Sequence, residues 1–337
     1  MGDTYYLYLP RILELYVRAI RYHSYGGPDV LQVDEVPEPV PAEGQVLIEV
    51  EAIGANAIDA LLRRGDGPWT LPLPAKLTGE VVGRVTALGP GVTDVQVGAR
   101  VTSLSEDAFA DYVVAAAEWL APVPDEADAG EATVLSMTGP LALRLLRAAK
   151  VSATDTVLIH AAAGTVGHLA LQLARTLGAR TIIGTTSTPA KLEFIRKWGA
   201  DLAIDSSDPA WADQVRAAVP DGVDVILDAI GGEVFDRGLE LLAPLGRMIT
   251  YGAIGGTLPT IPASSLFGLK SVMGVGMLGW RAARPDQARA DVAEVAELWR
   301  AGNLRTAVDA GYPLEKVQQI HEILDRRANQ GRLIAKI

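Results

Sequence analysis

Through the middle of the chain, apolar runs of strand length alternate with segments whose apolar residues recur at helical spacing. "TVLIHA" (156–161) runs into Val166, Leu169, Ala170, Leu173, Ala174 and Leu177, a helical pattern that Gly178 is placed to stop. "TIIGTT" (181–186) precedes "PAKLEFIRKWG", where Pro189 suits a first helical turn and Gly199 a helix end. "DLAID" (201–205) leads to "PAWADQVRAAV", and "VDVILDAI" (223–230) leads to "EVFDRGLELLA". "GRMITYGA" (246–253) and "SVMGVGM" (271–277) add two more strands. Strands apolar on both faces and separated by helices predict a parallel sheet covered on both sides. Six in this rhythm predict an α/β, doubly wound Rossmann domain over residues 139–275.

The pattern before that domain is different. "QVLIEVEAIGANAID", "GEVVGRVTALGPGV" and "GARVTSLS" are short β-prone segments between Gly and Pro turns, which predicts a mostly antiparallel, barrel-like domain. From about Ala282 the tail carries two helical runs and a closing strand, "GRLIAKI". Residues 1–16 precede the β register and read as an appendage. It is either a helical arm or the product of an upstream start codon, with Val17 at the original initiator position.

Charge and composition remove whole classes of chemistry. The chain has no cysteine, so disulfides, thiolate nucleophiles and sulfur-ligated zinc are excluded. The four histidines, His23, His160, His168 and His321, make no close pair at metal-ligand spacing, and no metal is expected. A net charge of −11 argues against nucleic acid and anionic membrane as partners, because both demand clustered Lys and Arg. No long uncharged apolar window and no signal-peptide pattern are present, so cytoplasmic residence is the expectation.

The first strand-to-helix turn reads Ala162-x-Gly164-x-x-Gly167. A dinucleotide turn needs small residues there for a tight bend, for close approach of pyrophosphate and for helix–strand packing. Ala162 departs from the usual glycine. The helical pattern starts directly at the turn, so its amides and dipole point at an anion. Ala162, Gly164, Thr165, Val166 and Gly167 are therefore candidate cofactor-binding residues. At the end of the next strand no acidic residue is available for a ribose diol; Thr186, Ser187 and Thr188 stand there, followed by Lys191. That set suits a 2′-phosphate and favours NADPH. Asp205 at the third strand's end works against the preference, and a solvated helix-face lysine is the competing view of Lys191.

Taken with "AIRYHSYGGPDVLQVDEVPEP", "GANAIDALLRRG", "GEVVGRVTALGPGVTDVQVGARV", "MTGPLALRLL", "HAAAGTVG", "VDVILDAIGG" and "LLAPLGRMITYG", the chain resembles the medium-chain dehydrogenase/reductase superfamily. The similarity is to its zinc-independent quinone-oxidoreductase branch, the relatives of zeta-crystallin, and runs from about Arg18 to Ile337. The resemblance implies a GroES-like catalytic domain of residues 17–138 and 276–337, rejoined by the tail, with an active site in the cleft beside the nucleotide-binding domain. It implies hydride transfer from NADPH to a small-molecule electron acceptor, a quinone or an α,β-unsaturated carbonyl. It places Asn56 and Thr138 as cleft groups, the Asn56 amide bonding either the cofactor ribose or the acceptor carbonyl and the Thr138 hydroxyl standing beside the nicotinamide, with Tyr251 and Gly252 bordering the nicotinamide. Against these stand a turn asparagine bonded to its own backbone and a threonine bonded to a helix carbonyl.

Asp59 reads as structural, His160 as a hydrogen-bonded core residue and His168 as a surface residue. Trp69 and Trp280 either line an acceptor pocket or fill core. There are departures from the family pattern: Leu61 stands where many relatives have a tyrosine, Asp205 replaces another, and Ala99 replaces an aspartate. With no other donor apparent, water is left to supply the proton. An enoyl-thioester reductase and a non-enzymatic NADPH-binding protein are the alternatives. The apolar edge segment "SVMGVGM" predicts a homodimer.

Overall fold

A computed structural model describes residues 15–67 and 69–337. The appendage assignment falls on residues that lie mostly outside that range. Tyr16 already opens the first strand, opposite Pro37, one residue earlier than the register predicts.

The N-terminal part is built from β1 (Tyr16–Tyr22), β2 (Leu31–Pro37), β3 (Gln45–Gly54), helix α1 (Ala57–Arg64), β4 (Ala75–Lys76), β5 (Gly79–Leu88), β6 (Arg100–Ser105), β7 (Tyr112–Ala116) and β8 (Ala121–Pro122). A small antiparallel sheet, β2-β1-β4, and a larger sheet centred on the β3–β5–β6 ladder result, with β7 also pairing β3. Ile20, Tyr22, Ile48, Ile53, Val81 and Phe109 close its core. Helices α2 (Ala129–Ala132) and α3 (Thr138–Ala148) carry the chain onward.

Then follow β9 (Thr156–Ile159), α4 (Thr165–Thr176), β10 (Thr181–Thr186), α5 (Leu192–Lys197), β11 (Leu202–Asp205), α6 (Trp211–Ala218), β12 (Val223–Asp228), α7 (Gly232–Leu241), β13 (Leu242–Thr250) and β14 (Ser271–Gly274). All six strands are parallel, in the order β11-β10-β9-β12-β13-β14. Val157, Leu158, Ile159, Ile182, Ile183, Val225, Ile226 and Leu227 are buried, as the uninterrupted apolar runs require. The direction of winding reverses between β9 and β12, and such a switch point opens a crevice at the strands' carboxyl ends.

The tail supplies α8 (Met277–Ala283), α9 (Pro285–Arg300), β15 (Val308–Pro313), α10 (Val317–Asp325) and β16 (Arg332–Lys336). β16 pairs antiparallel with β3, through Ile334 opposite Gly54. β15, absent from the sequence prediction, pairs parallel with β16. The tail also grips α3: Arg144 and Arg147 both donate to the buried Asp291 carboxylate of α9. Among the described residues no helix is long and apolar enough to cross a membrane.

Candidate active site

The turn after β9 carries the predicted small residues, with one change of role. The left-handed backbone sits at Ala161 (φ 51°), not at Ala162. A non-glycine there is strained, and buried packing on both sides holds it. Ala162 is small for another reason: a Cβ on the neighbouring Gly184 would lie 3.1 Å from the Ala162 Cβ. Its own N–H donates to the Thr185 carbonyl at 2.9 Å, which ties the turn to β10. Gly167 allows α4 to meet the strand end, since a Cβ would come 2.3 Å from the Ala161 oxygen.

Gly164 caps α4 without a side-chain acceptor. The first intrahelical bond is donated by His168 to Gly164, so the amides of Thr165, Val166 and Gly167 have no helical carbonyl to bond. A twelve-residue helix thus points an uncapped, partly positive end into the switch-point crevice. Backbone donors without side chains in front of them fit a pyrophosphate.

At the end of β10, Thr186 is buried, Ser187 is exposed, and Thr186 stands opposite Asp205 in the ladder. Lys191 is not the free ammonium the sequence suggests. It is buried, and Nζ donates to the Arg327 carbonyl in the loop between α10 and β16. Burial pulls its pKa down from the usual value, with Asp309 pulling the other way. That loop also reaches the turn: Gly331 N donates to the Ala163 carbonyl at 2.8 Å, and the Thr165 hydroxyl donates to the Gly331 carbonyl. Tyr251 and Gly252 follow β13, where Tyr251 N donates to the Asp228 carbonyl. Burial raises the Tyr251 phenol further above its ordinary range, and raises the Asp228 carboxyl to about 6.

The residue after Gly331 joins the remaining pieces. Arg332 is wholly buried, and its Nη2 donates to Glu80 Oε2 at 2.7 Å. Nη1 donates to Asn56 Oδ1 at 2.9 Å. Glu80, on β5, in turn accepts from the Met137 and Thr138 amides at 2.7 and 2.8 Å and from the Thr138 hydroxyl. Asn56 and Thr138 are therefore brought together, neither with the partner that local sequence suggested. Thr138 bonds a carboxylate instead of a helix carbonyl, and Asn56 accepts from an arginine 276 positions away. Arg332 and Glu80 were missed by the sequence reading; the only signal was a Gly-Arg pair opening an apolar closing strand.

Asp59 is structural, as expected: it accepts from the Thr78 amide and hydroxyl, and burial pushes its carboxyl up to about 7. His160 is a core residue bonded through Nδ1 to the Thr185 hydroxyl at 2.9 Å, with burial lowering it to about 4. His168 requires correction. It is fully buried, because the tail covers the face of α4 that looked polar. Its Nε2 accepts from Ala307 N at 3.1 Å, so the proton sits on Nδ1, which donates to Gly164 O. Trp69 is 44% exposed, and Trp280 lies against the Arg144 guanidinium at 4.1 Å. Leu61 is buried. A surface cavity of about 1250 Å³, lined by residues 43–45, 91–96, 99–101, 116–118, 120 and 122 with Arg289, shares no residue with this site.

Two known families match parts of the chain. Residues 42–125 match the family described as alcohol dehydrogenase GroES-like domain, and residues 165–297 the family described as zinc-binding dehydrogenase. The fold and these matches are those of an oxidoreductase of the medium-chain dehydrogenase/reductase superfamily. The chain belongs to its zinc-independent quinone-oxidoreductase branch. It is 31% identical to quinone oxidoreductase of Sus scrofa over 94% of this chain and 96% of the relative. It is 33% identical to a 2-haloacrylate reductase of Burkholderia sp over 94% and 98% of the two chains. A mycobacterial protein solved in complex with NADPH superposes with a TM-score of 0.88 at 33% identity, over 95% of this chain and all of the other. The second family's description names zinc. This chain has no cysteine, and among the described residues no cluster of three His, Asp or Glu side chains suits a metal ion. The ion does not fit the side chains present.

Proposed function

We propose that the chain uses NADPH to reduce a quinone or an α,β-unsaturated carbonyl compound. The observation that carries this reading is the convergence, on Gly331 and Arg332, of the uncapped α4 turn, Asn56 and the α3 N-terminus at Thr138. Bound there, the reduced nicotinamide supplies a hydride. The protein's part is to orient it and to keep competing groups away. Amides of Thr165, Val166 and Gly167 hold the pyrophosphate, while Thr186, Ser187 and Lys191 face the adenosine side. Release of Lys191 from the Arg327 carbonyl lets its ammonium meet a 2′-phosphate. The NADPH complex of the mycobacterial relative supports the same nucleotide. Tyr251 and Gly252 border the nicotinamide from the β13 side.

Such acceptors are electron-poor at the carbon that takes the hydride, so no Lewis acid is required. Burial makes the Tyr251 phenol a weaker acid and keeps His160 and His168 from holding a proton to give, so water is the proton source in this reading. The test is oxidation of NADPH and NADH with an ortho-quinone, a para-quinone and a conjugated enal. NADPH-selective turnover supports the proposal; tight binding without turnover of any acceptor refutes it.

The oligomer we propose is a homodimer formed along the free edge of β14. Met273 on that strand, with Phe267 and Leu278 flanking it, is exposed and apolar. Light scattering at micromolar concentration tests this, and a monomer refutes it.

A further inference from the structure

His168 holds two distant parts of the chain at once. It is fully buried on the first turn of α4, its ring edge-on to Trp198 at 5.3 Å and tilted against Phe194 at 6.3 Å. Nε2 accepts from Ala307 N, so the single ring hydrogen lies on Nδ1 and goes to the Gly164 carbonyl at 3.0 Å. The same carbonyl accepts the His168 backbone N–H, also at 3.0 Å. Both lone pairs of the Gly164 oxygen are thus taken by one residue. The consequence lies across the peptide. The Gly164–Thr165 bond is trans, so its N–H points away from its oxygen. Fixing the oxygen fixes the direction of the Thr165 N–H, the first free amide at the end of α4. Hydrogen bonds to the carbonyl also polarise the peptide and strengthen that N–H as a donor.

The support behind the ring is firm. The Ala307 carbonyl accepts from Arg332 N at 2.7 Å, and the neighbouring Thr306 hydroxyl donates to the Glu131 carbonyl at 2.9 Å. One turn further along α4, the Gln172 amide donates to the Arg305 carbonyl and accepts from the Arg305 N–H. Residues 305–307 are therefore fixed along the face of α4, and the imidazole carries that fixity to the turn.

We propose that His168, backed by residues 305–307 of the tail, is a positioning residue of the cofactor site: it holds the Gly164–Thr165 peptide so that the Thr165 N–H faces the cofactor's pyrophosphate. The proposal rests on the reading above that this turn holds NADPH. His168 acts only through Gly164 and gives up no proton, because both its nitrogens are committed and burial lowers the ring to about 4.

The test compares wild type, His168→Asn and His168→Gln by NADPH fluorescence titration, steady-state kinetics and thermal unfolding. An asparagine Nδ2 comes near the place of the histidine Nδ1, so it keeps the donor to Gly164 and leaves Ala307 N unbonded. A glutamine reaches the place of Nε2, so it keeps an acceptor for Ala307 N and loses the donor to Gly164. His168→Gln should bind NADPH about fivefold more weakly, the worth of one hydrogen bond, with KM for NADPH rising in step and kcat at saturation within about twofold. His168→Asn should keep the wild-type Kd within about twofold, although the unbonded Ala307 amide lowers its Tm. A merely structural histidine would give affinity losses that follow the Tm in both variants. That pattern, or a His168→Gln protein with wild-type affinity, overturns the proposal alone. Should either variant fail to fold, the wild type decides by NMR of the histidine ring nitrogens and the Thr165 amide. An Nδ1–H neutral ring, with the Thr165 amide proton moving downfield on NADPH binding, is expected. An Nε2–H ring, or a Thr165 amide that NADPH leaves in place, overturns the assignment. Wild type that binds no NADPH removes the pyrophosphate, and overturns both this proposal and the reading beneath it.

Discussion

Substituting Gly167 and Gly164 separately distinguishes packing from binding in the nucleotide turn. A Cβ at 167 would sit 2.3 Å from the Ala161 oxygen and 2.6 Å from the Ala162 Cα, both backbone atoms that cannot swing aside. Restoring an ordinary contact of about 3.4 Å requires α4 to withdraw about 1 Å from the strand end. That loosens Leu169, Ala170, Leu173 and Ala174, all buried against the sheet. Overpacking of this kind costs about 2 kcal/mol. With roughly 2.1 cal/mol/K of unfolding entropy per residue over 337 residues, the Tm of Gly167→Ala should fall by about 3 °C. Withdrawal also takes the α4 amides off the pyrophosphate, so NADPH should bind at least about tenfold more weakly, or ~1.4 kcal/mol. Gly164→Ala is the control. Its φ is −78°, and its Cβ meets only the Ala161 oxygen, at 3.3 Å, so stability should be unchanged within about 1 kcal/mol. The methyl would still stand where the backbone must approach the phosphates, and affinity should fall as far. Calorimetry and fluorescence titration on both variants decide it. A Gly167→Ala protein with wild-type Tm, or a Gly164→Ala protein that binds NADPH like wild type, would refute this account of the turn.

Three other outcomes are expected. Lys191→Ala should raise the KM for NADPH about tenfold and leave that for NADH unchanged; equal effects on both would mean the ammonium serves only the Arg327 loop. His321 is buried with neither nitrogen bonded among the described residues, and burial, then Arg63, lowers it from 6.5 to about 3. Between those values the unfolded chain binds a proton that the folded chain refuses, so this residue costs stability as pH falls through that window. Urea midpoints of His321→Leu relative to wild type should therefore shift in the variant's favour between about pH 7 and pH 4, and a pH-independent difference would contradict this. Met273→Asp, on the exposed β14 edge, should be monomeric by light scattering where the proposed homodimer forms in wild type, with the Tm of the monomer's own fold within a few degrees.

What could be read from sequence follows from what each residue touches. The six parallel strands were legible because burial on both faces leaves uninterrupted apolar runs such as "TVLIHA" and "VDVILDAI". Gly164 and Gly167 were legible because their constraint is local. β15 was not: "VDAGYP" carries Asp, Gly and Pro, is largely exposed, and becomes a strand only because β16 lies beside it. His168 was misread because the segment around Ala307 that buries it comes 139 positions later, where no local periodicity can register it. The tight bend was assigned to the fingerprint's first position, Ala162, and the left-handed backbone lies one residue earlier, at Ala161. The Glu80–Arg332 pair links positions 252 apart, and single charged residues flanked by apolar strand give no hint of one another.

The most direct test of the central claim is to follow the transferred hydrogen itself. NADPH deuterated at its transferable position would be incubated with the enzyme and a conjugated enal, and the product located by mass spectrometry and NMR. The account predicts deuterium on the β-carbon of a saturated aldehyde, with the α-hydrogen drawn from water. Deuterium on the carbonyl carbon of an allylic alcohol, or a product carrying none, would contradict it.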